Sequence, residues 1–310
     1  MRDLDSGGNE RSQDPERSIA IAADLETSAW TRFDHMVSTG KITYGATAGE
    51  TLEDEGFKFE LRLAPALQKK PITKADAPER KKPTGKNPFL DPNPDEILSS
   101  VGKYHTLLLN IYAFYRPSVL LITKDFIPQD DPLDNRDLIA AWAVLQNFSR
   151  EQYFMIYNCG YNSGSSQGHK HMQLWPYPNE KELGFELFPK KAQSETVVSK
   201  DIPTVPLKHF VLRLPPHANA AAVIDAHRRL LQEVRQIQQQ AGSGPAHNVI
   251  ITKDWICLIP RRHSGFERGV GINSAGVLGL AWAVNEDEKM AWLSIGAAEL
   301  LRFVGIPVNA

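Results

Sequence analysis

Residues 153–175 read YFMIYNCGYNSGSSQGHKHMQLW, and their reading decides the fold. The flanks, 153–159 and 169–175, are apolar and aromatic as strands are, and the intervening GYNSGSSQG has loop chemistry. A connection of that length favours antiparallel pairing of the two strands. Side chains of a strand alternate with period two, so His169, His171 and Gln173 are expected on one face, with Lys170 and Met172 on the other. Upstream, Gly164, Ser165, Ser166, Gln167 and Gly168 supply flexible backbone and several donors, the material of a phosphate cradle. The segment therefore reads as a nucleophilic imidazole beside an anion site. The competing reading is a loop held by Asx and Ser turns next to two core histidines.

Working outward, HTLLLN (105–110) and SVLLIT (118–123) are neighbouring strands by the same criteria, and 134–148 is an amphipathic helix with an acidic start. A helix is expected over 29–38, where Trp30, Phe33, His35 and Met36 share a face before Gly40, and a strand over 58–63. Beyond the central segment come a strand at 209–215, a helix over 220–241 capped by Asn219, strands HNVIIT and WICLIP, and a further strand and helix after GINSAG. Strand pairs interspersed with helices predict an α+β fold with a mainly antiparallel sheet, not a doubly wound parallel one. Between 69 and 96, six prolines exclude a regular element. The accompanying Lys69, Lys70, Lys74, Arg80, Lys81, Lys82 and Lys86 read either as a solvated basic loop or as a lid carrying lysines to phosphates. Residues 1–17 are polar and aperiodic, and are expected to be a disordered lead-in to one domain over 18–310, with an active-site half of about 18–205 and a second half of about 206–310.

The 310 residues are 42% hydrophobic, enough to bury a core, and 35 Lys and Arg against 37 Asp and Glu leave a net charge of −2. No global basic field exists to hold nucleic acid, so anion binding must be local. Cys159 and Cys257 sit in apolar runs and read as buried reduced thiols. With neither an apolar leader nor a membrane-length apolar run, the expectation is a cytoplasmic protein, nuclear presence being left open, that touches no membrane.

From Tyr157 to Pro176 the chain resembles the active-site segment of the diadenosine tetraphosphate phosphorylases, a branch of the histidine-triad superfamily. KNPFLDP near Lys86, LLLN at 107–110, VLLITKDFIPQ at 119–129, HFVLRLP at 209 and NVIITKDWICLIPR at 248–261 resemble that family's segments in the same order, over about residues 25–308. The resemblance implies a HIT-like fold with a second, structurally related half. It implies that His171 attacks the α-phosphorus of a dinucleoside polyphosphate, expels ATP and holds AMP, which inorganic phosphate then removes as ADP. A neutral imidazole suits both steps, being nucleophilic near pH 7 and forming a labile phosphoramidate. The other ring nitrogen would be held by the main-chain carbonyl of His169, without a carboxylate. Gln173, where triad hydrolases carry a third histidine, would donate to the phosphoryl oxygen and favour phosphate over water as acceptor.

By the same resemblance, Lys70, Asn110, Asn158, Gly164, Ser165, Ser166, Gln167, Asn273, Ser274 and Ala275 are expected to contact substrate. Ile111, Leu280 and Val284 depart from the family pattern, Ile111 and Val284 standing where it has lysines, and this bears on polyphosphate length and affinity. Mg²⁺ or another divalent cation is expected to arrive with the nucleotide, and no tightly bound organic cofactor is implied. His209, His247 and His263 lack ligand spacing, so no protein-borne metal is expected. Arg261, Arg262 and His263 read either as phosphate ligands or as a solvated strand end. A nucleotide-sugar phosphorylase, a hexose-1-phosphate nucleotidylyltransferase and a nucleotide sensor without turnover are the competing functions. Oligomeric state stays open, with a monomer favoured.

Overall fold

The computed structural model describes residues 19, 21–45, 47–83, 87–266 and 269–308; the lead-in expected over 1–17, and Lys86, lie outside them. Its strands are β1 (Gly49–Asp54), β2 (Phe57–Leu63), β3 (Ile97–Val101), β4 (His105–Leu109), β5 (Val119–Thr123), β6 (Tyr153–Cys159), β7 (His171–Pro176), β8 (Phe210–Arg213), β9 (His247–Ile251), β10 (Trp255–Pro260), β11 (Gly265–Phe266), β12 (Val270–Gly271) and β13 (Leu280–Ala283). The helices are α1 (Leu25–Ser38), α2 (Asn135–Asn147), α3 (Glu180–Leu183), α4 (Ala220–Gln240), α5 (Ser274–Val277), α6 (Glu286–Ile295) and α7 (Ala297–Val304).

Eight strands form one sheet in the order β3-β4-β5-β7-β6-β9-β10-β8, antiparallel throughout, so the expected α+β class holds. The strands of the two halves meet at β6 and β9, where Tyr157 pairs with Val249. Every residue of β6 is buried, because both faces of the sheet are covered. Tyr153, Met155, Tyr157 and Cys159 enter one core with α1, α2 and α4; Phe154 and Ile156 enter the other with β2, β13, α6 and α7. Both cysteines are buried and free.

The expected Asn219 cap is in place, accepting from Ala222 in α4, and the acidic start of α2 is also a cap, Asp134 accepting from the N–H groups of Arg136 and Asp137. Four strands escaped sequence reading: the two-residue β11 and β12, and the longer β1 and β3. β1 (GETLED) has no buried position and β3 (ILSSV) only one, since both are edge strands. One boundary is corrected: β7 begins at His171, and His169 makes only a single bridge to Pro128 before the ladder starts. Among the described residues, the proline-rich stretch carries no helix beyond the end of a 3₁₀ turn at Pro65–Lys69 and a second at Pro78–Arg80.

Candidate active site

On the face of the sheet opposite α2 and α4, the proline-rich segment lies over the β4–β5–β7 end. Leu108, Asn110, Leu120, His171 and Gln173 form the floor of a cavity of about 170 Å³ there, with Ile111, Lys70, Pro71, Phe89, Ser166 and Gln167 among its walls. A second cavity, about 270 Å³, lies beyond the loop between Tyr161, Gly164, Ser165, Asn273, Trp282, Val284 and Glu288. Lys70 and Ser166 line both.

His171 Nδ1 lies 2.9 Å from the carbonyl oxygen of His169, to which it donates, so Nε2 is the unprotonated nitrogen. Burial lowers the pKa of this ring from 6.5 to about 4, against the carbonyl bond that raises it, and the cations Lys70 and Arg80 lower it further. The imidazole is therefore neutral at pH 7, and Nε2 has no protein partner among the described residues. His169 points to the same side but is anchored: its Nε2 lies 2.9 Å from Thr123 O and 3.0 Å from Thr123 Oγ1. Phe89 packs against both rings, with centroids 5.8 and 5.1 Å away. Gln173 contributes an amide with no side-chain hydrogen bond among the described residues.

Lys70 is half-buried with no carboxylate partner among the described residues, and burial lowers its pKa from 10.5 to about 8. A cation left in that state gains most from an arriving anion. The other described lysines of the proline-rich segment are exposed. Arg80, by contrast, is 1% exposed and acts as a tie: its guanidinium donates to Thr73 O at 2.8 Å, Ser165 O at 2.8 Å and Ser165 Oγ at 3.0 Å, and lies 4.9 Å from the Tyr161 ring centre. Thr73 N–H donates to Ser166 O and Gln167 Nε2 to Pro71 O. The solvated-loop reading thus fails for Arg80 and the cavity-lining residues, which form a cover fastened to the glycine-serine loop. Gly168 makes that contact possible, since a Cβ there would stand 2.5 Å from Arg80 Cα. Gly164 (φ +88°) likewise passes so close to Ile272 O that a Cβ would approach within 2.7 Å.

Other expected site residues are placed elsewhere. Asn158, Ser274 and Ala275 are buried and line neither cavity. Asn158 Oδ1 accepts from Ser274 Oγ (2.6 Å), Ser274 N (3.0 Å) and Asn248 Nδ2 (2.9 Å), which ties β6 to β9 and α5. Asn273 borders the second cavity while capping α5 through Ala275 N and Gly276 N. Asn110 lines the first cavity with its Oδ1 engaged by Tyr112 N.

Arg261 corrects both readings of its segment. It is fully buried, donates to Val304 O, Ser163 O, Asn248 Oδ1, His263 O and Ile272 O, and burial lowers its pKa to about 9. Only Arg262 is exposed at that strand end. Among the described residues no three His, Cys, Asp or Glu side chains converge as metal ligands. His209 and His247 each engage a main-chain carbonyl, and His263 stacks on Phe303. Lys170, on the back of the motif, lies 2.9 Å from Asp137 Oδ2, and His105 Nε2 lies 2.8 Å from Oδ1 of the same carboxylate. Sequence reading assigned no site role to Phe89 or Asp137 and named Arg80 only within the basic run; KNPFLDP, which contains Phe89, was the other signal.

Residues 16–188 match the family model described as the Ap4A phosphorylase N-terminal domain, and residues 203–307 the one described as the ATP adenylyltransferase C-terminal domain. The chain belongs to the Ap4A phosphorylase family. As a member it is a nucleotidyltransferase. It is 31% identical over 267 residues to diadenosine 5',5'''-P1,P4-tetraphosphate phosphorylase 2 of Saccharomyces cerevisiae, covering 75% of this chain and 78% of the relative. It is 26% identical over 302 residues to Protein APA1 of the same yeast, covering 87% and 89%. The crystal structure of yeast Ap4A phosphorylase Apa2 matches with a TM-score of 0.76 and 23% identity, over 93% of this chain and 99% of that one, which bears out the HIT-like fold. The same yeast enzyme has been solved in complex with Ap4A and with AMP, matching at 24% identity and TM-score 0.76, over 93% of this chain and 99% and 98% of those chains.

Proposed function

We propose that this family member cleaves diadenosine tetraphosphate, or a related dinucleoside polyphosphate, by phosphorolysis to ADP and ATP through a nucleotidyl-histidine on His171. The observation that carries the reading is the His171 ring itself: neutral, tautomerically fixed by the His169 carbonyl, and lining a cavity that Lys70, Ser166, Gln167 and Gln173 also line. Nε2 attacks the α-phosphorus, forming a P–N bond as the bond to the bridging oxygen of ATP breaks. An oxygen of inorganic phosphate then attacks the same phosphorus, breaking the P–N bond and restoring the neutral ring. Gln173 donates its amide to the phosphoryl oxygen, and Lys70 offsets the charge gathering on the leaving phosphates.

The apolar cavity takes the transferred adenosine and the second cavity the leaving nucleotide, with Lys70 between them. Mg²⁺ or a similar cation comes bound to the nucleotide. The test is product analysis of purified protein with diadenosine tetraphosphate or a GDP-hexose, with and without phosphate. Equimolar ADP and ATP, formed only when phosphate is present, supports the reading; phosphate-dependent cleavage of the GDP-hexose alone contradicts it in favour of a nucleotide-sugar phosphorylase.

A further inference from the structure

The β6–β7 ladder runs from Tyr153↔Pro176 to Ile156↔Gln173 and stops. Continued in register, it would set Tyr157 opposite Met172 and then Asn158 opposite His171, and between the main chains of Asn158 and His171 lies the side chain of Gln129, 1% exposed. Gln129 Oε1 accepts from His171 N at 2.7 Å, and Nε2 donates to Asn158 O at 2.8 Å and His171 O at 3.2 Å. An amide side chain thus substitutes for a peptide unit and wedges the strands apart at the nucleophile, with both its polar atoms satisfied. The main chain of the same residue holds both feet of the glycine-serine loop: Gln129 O accepts from Gly160 N at 3.0 Å, and Gln129 N donates to Gly168 O at 2.8 Å. Tyr157 Oη also donates to Gln129 O, at 2.8 Å.

We infer that Gln129 is a positioning residue that sets where the His171 ring stands relative to the phosphate cradle. It lines neither cavity itself and acts through the main chains of His171 and Asn158 and the loop ends. The inference rests on the proposed role of His171, because the geometry held by Gln129 matters for turnover only if that ring reacts. Near-attack geometry is sensitive on the scale of 1 Å, which corresponds to about a hundredfold in rate.

Two variants test it in the full-length protein. Gln129→Met keeps the volume and removes all three side-chain bonds; kcat on diadenosine tetraphosphate with phosphate should fall about a hundredfold while KM moves less than about threefold. Gln129→Glu keeps the acceptor for His171 N but, when ionised, loses both donors and sets a negative charge beside the imidazole. Protonation of the buried carboxyl restores one donor, so kcat of this variant should rise as pH falls from 8 to 5.5 while the wild-type value does not. A role confined to folding would lower activity in proportion to folded protein at every pH. Wild-type kcat in Gln129→Met, or a Gln129→Glu profile parallel to wild type, overturns the inference; if Gln129→Met does not fold, the Gln129→Glu profile decides alone. Imidazole ¹⁵N shifts give a readout without turnover: wild type should show a single tautomer protonated at Nδ1 of His171, and either variant a mixture. An unchanged tautomer in both variants overturns the role of Gln129, whereas absence of wild-type turnover counts against the proposed function alone.

Discussion

Lys170 and His171 are neighbours in sequence and face opposite sides of one sheet, and their charges are handled in opposite ways. Behind the sheet, Lys170 is matched by Asp137, which also accepts from His105; although burial pushes that carboxyl upward, the His105 ring and Lys170 together hold it below its ordinary value. In front, His171 avoids charge by staying neutral, and Lys70 keeps its charge at a lowered pKa of about 8 with no carboxylate to meet it among the described residues. The back satisfies its ions internally, as a structural region does. The front leaves a cation and a nucleophilic nitrogen unspent, which is the condition for binding and attacking a phosphate anion.

The comparison breaks most sharply at the two histidines. His171→Ala should abolish phosphorolysis, a loss of at least about a thousandfold, while His169→Ala, whose ring serves packing and main-chain placement, should retain measurable turnover; equal and small losses in both would refute the assignment. At the back, Lys170→Met leaves Asp137 buried with one partner fewer and should cost about 3–5 kcal/mol of unfolding free energy, read by denaturant titration. At the front, Lys70→Met removes a half-buried cation that no described carboxylate meets, so stability should hold while KM for the dinucleotide rises about tenfold or more, in line with the roughly 1.5–3 kcal/mol of a hydrogen bond to a charged group. A Lys70 variant that unfolds the protein with KM unchanged would reverse the distinction.

The effect of pH is spread over three buried rings. Burial lowers His227 to about 4 and His247 to about 3, as it lowers His171 to about 4, all from 6.5. Below pH 6.5 the unfolded chain therefore binds more protons than the folded one, and stability should decline as pH falls from about 6.5 toward 4, by at most about 1.4 kcal/mol per pH unit per group. Chemical denaturation at pH 7.5, 6.5 and 5.5 checks this, and a stability that rises over that interval would contradict the burial of these rings.

What was legible in the sequence follows from the same contrast. Strands at 105–110, 118–123 and 153–159 and the capped helices starting at 135 and 220 carry apolar periodicity and local cap chemistry, which need no tertiary partner to be read. β1 does not, since GETLED buries nothing and is a strand only because β2 lies beside it. The polar residues were hardest to place. Ser166 lines a cavity and Ser274 fastens Asn158, yet both are serines in glycine-rich surroundings. Arg80 and Arg261 lie in segments that read either as solvated or as phosphate-directed, and they are neither, because their partners are carbonyls from segments remote in sequence, and a pattern of residue types does not show which carbonyl will face which guanidinium.

Incubating the protein with diadenosine tetraphosphate labelled at the α-phosphorus, without inorganic phosphate, then quenching and mapping the labelled peptide, reads the covalent step itself. The account predicts acid-labile, alkali-stable AMP on the peptide containing His171, absent from His171→Ala and discharged as ADP when phosphate is added. Phosphate-dependent ADP and ATP production with no label on that peptide, or undiminished in His171→Ala, would contradict it.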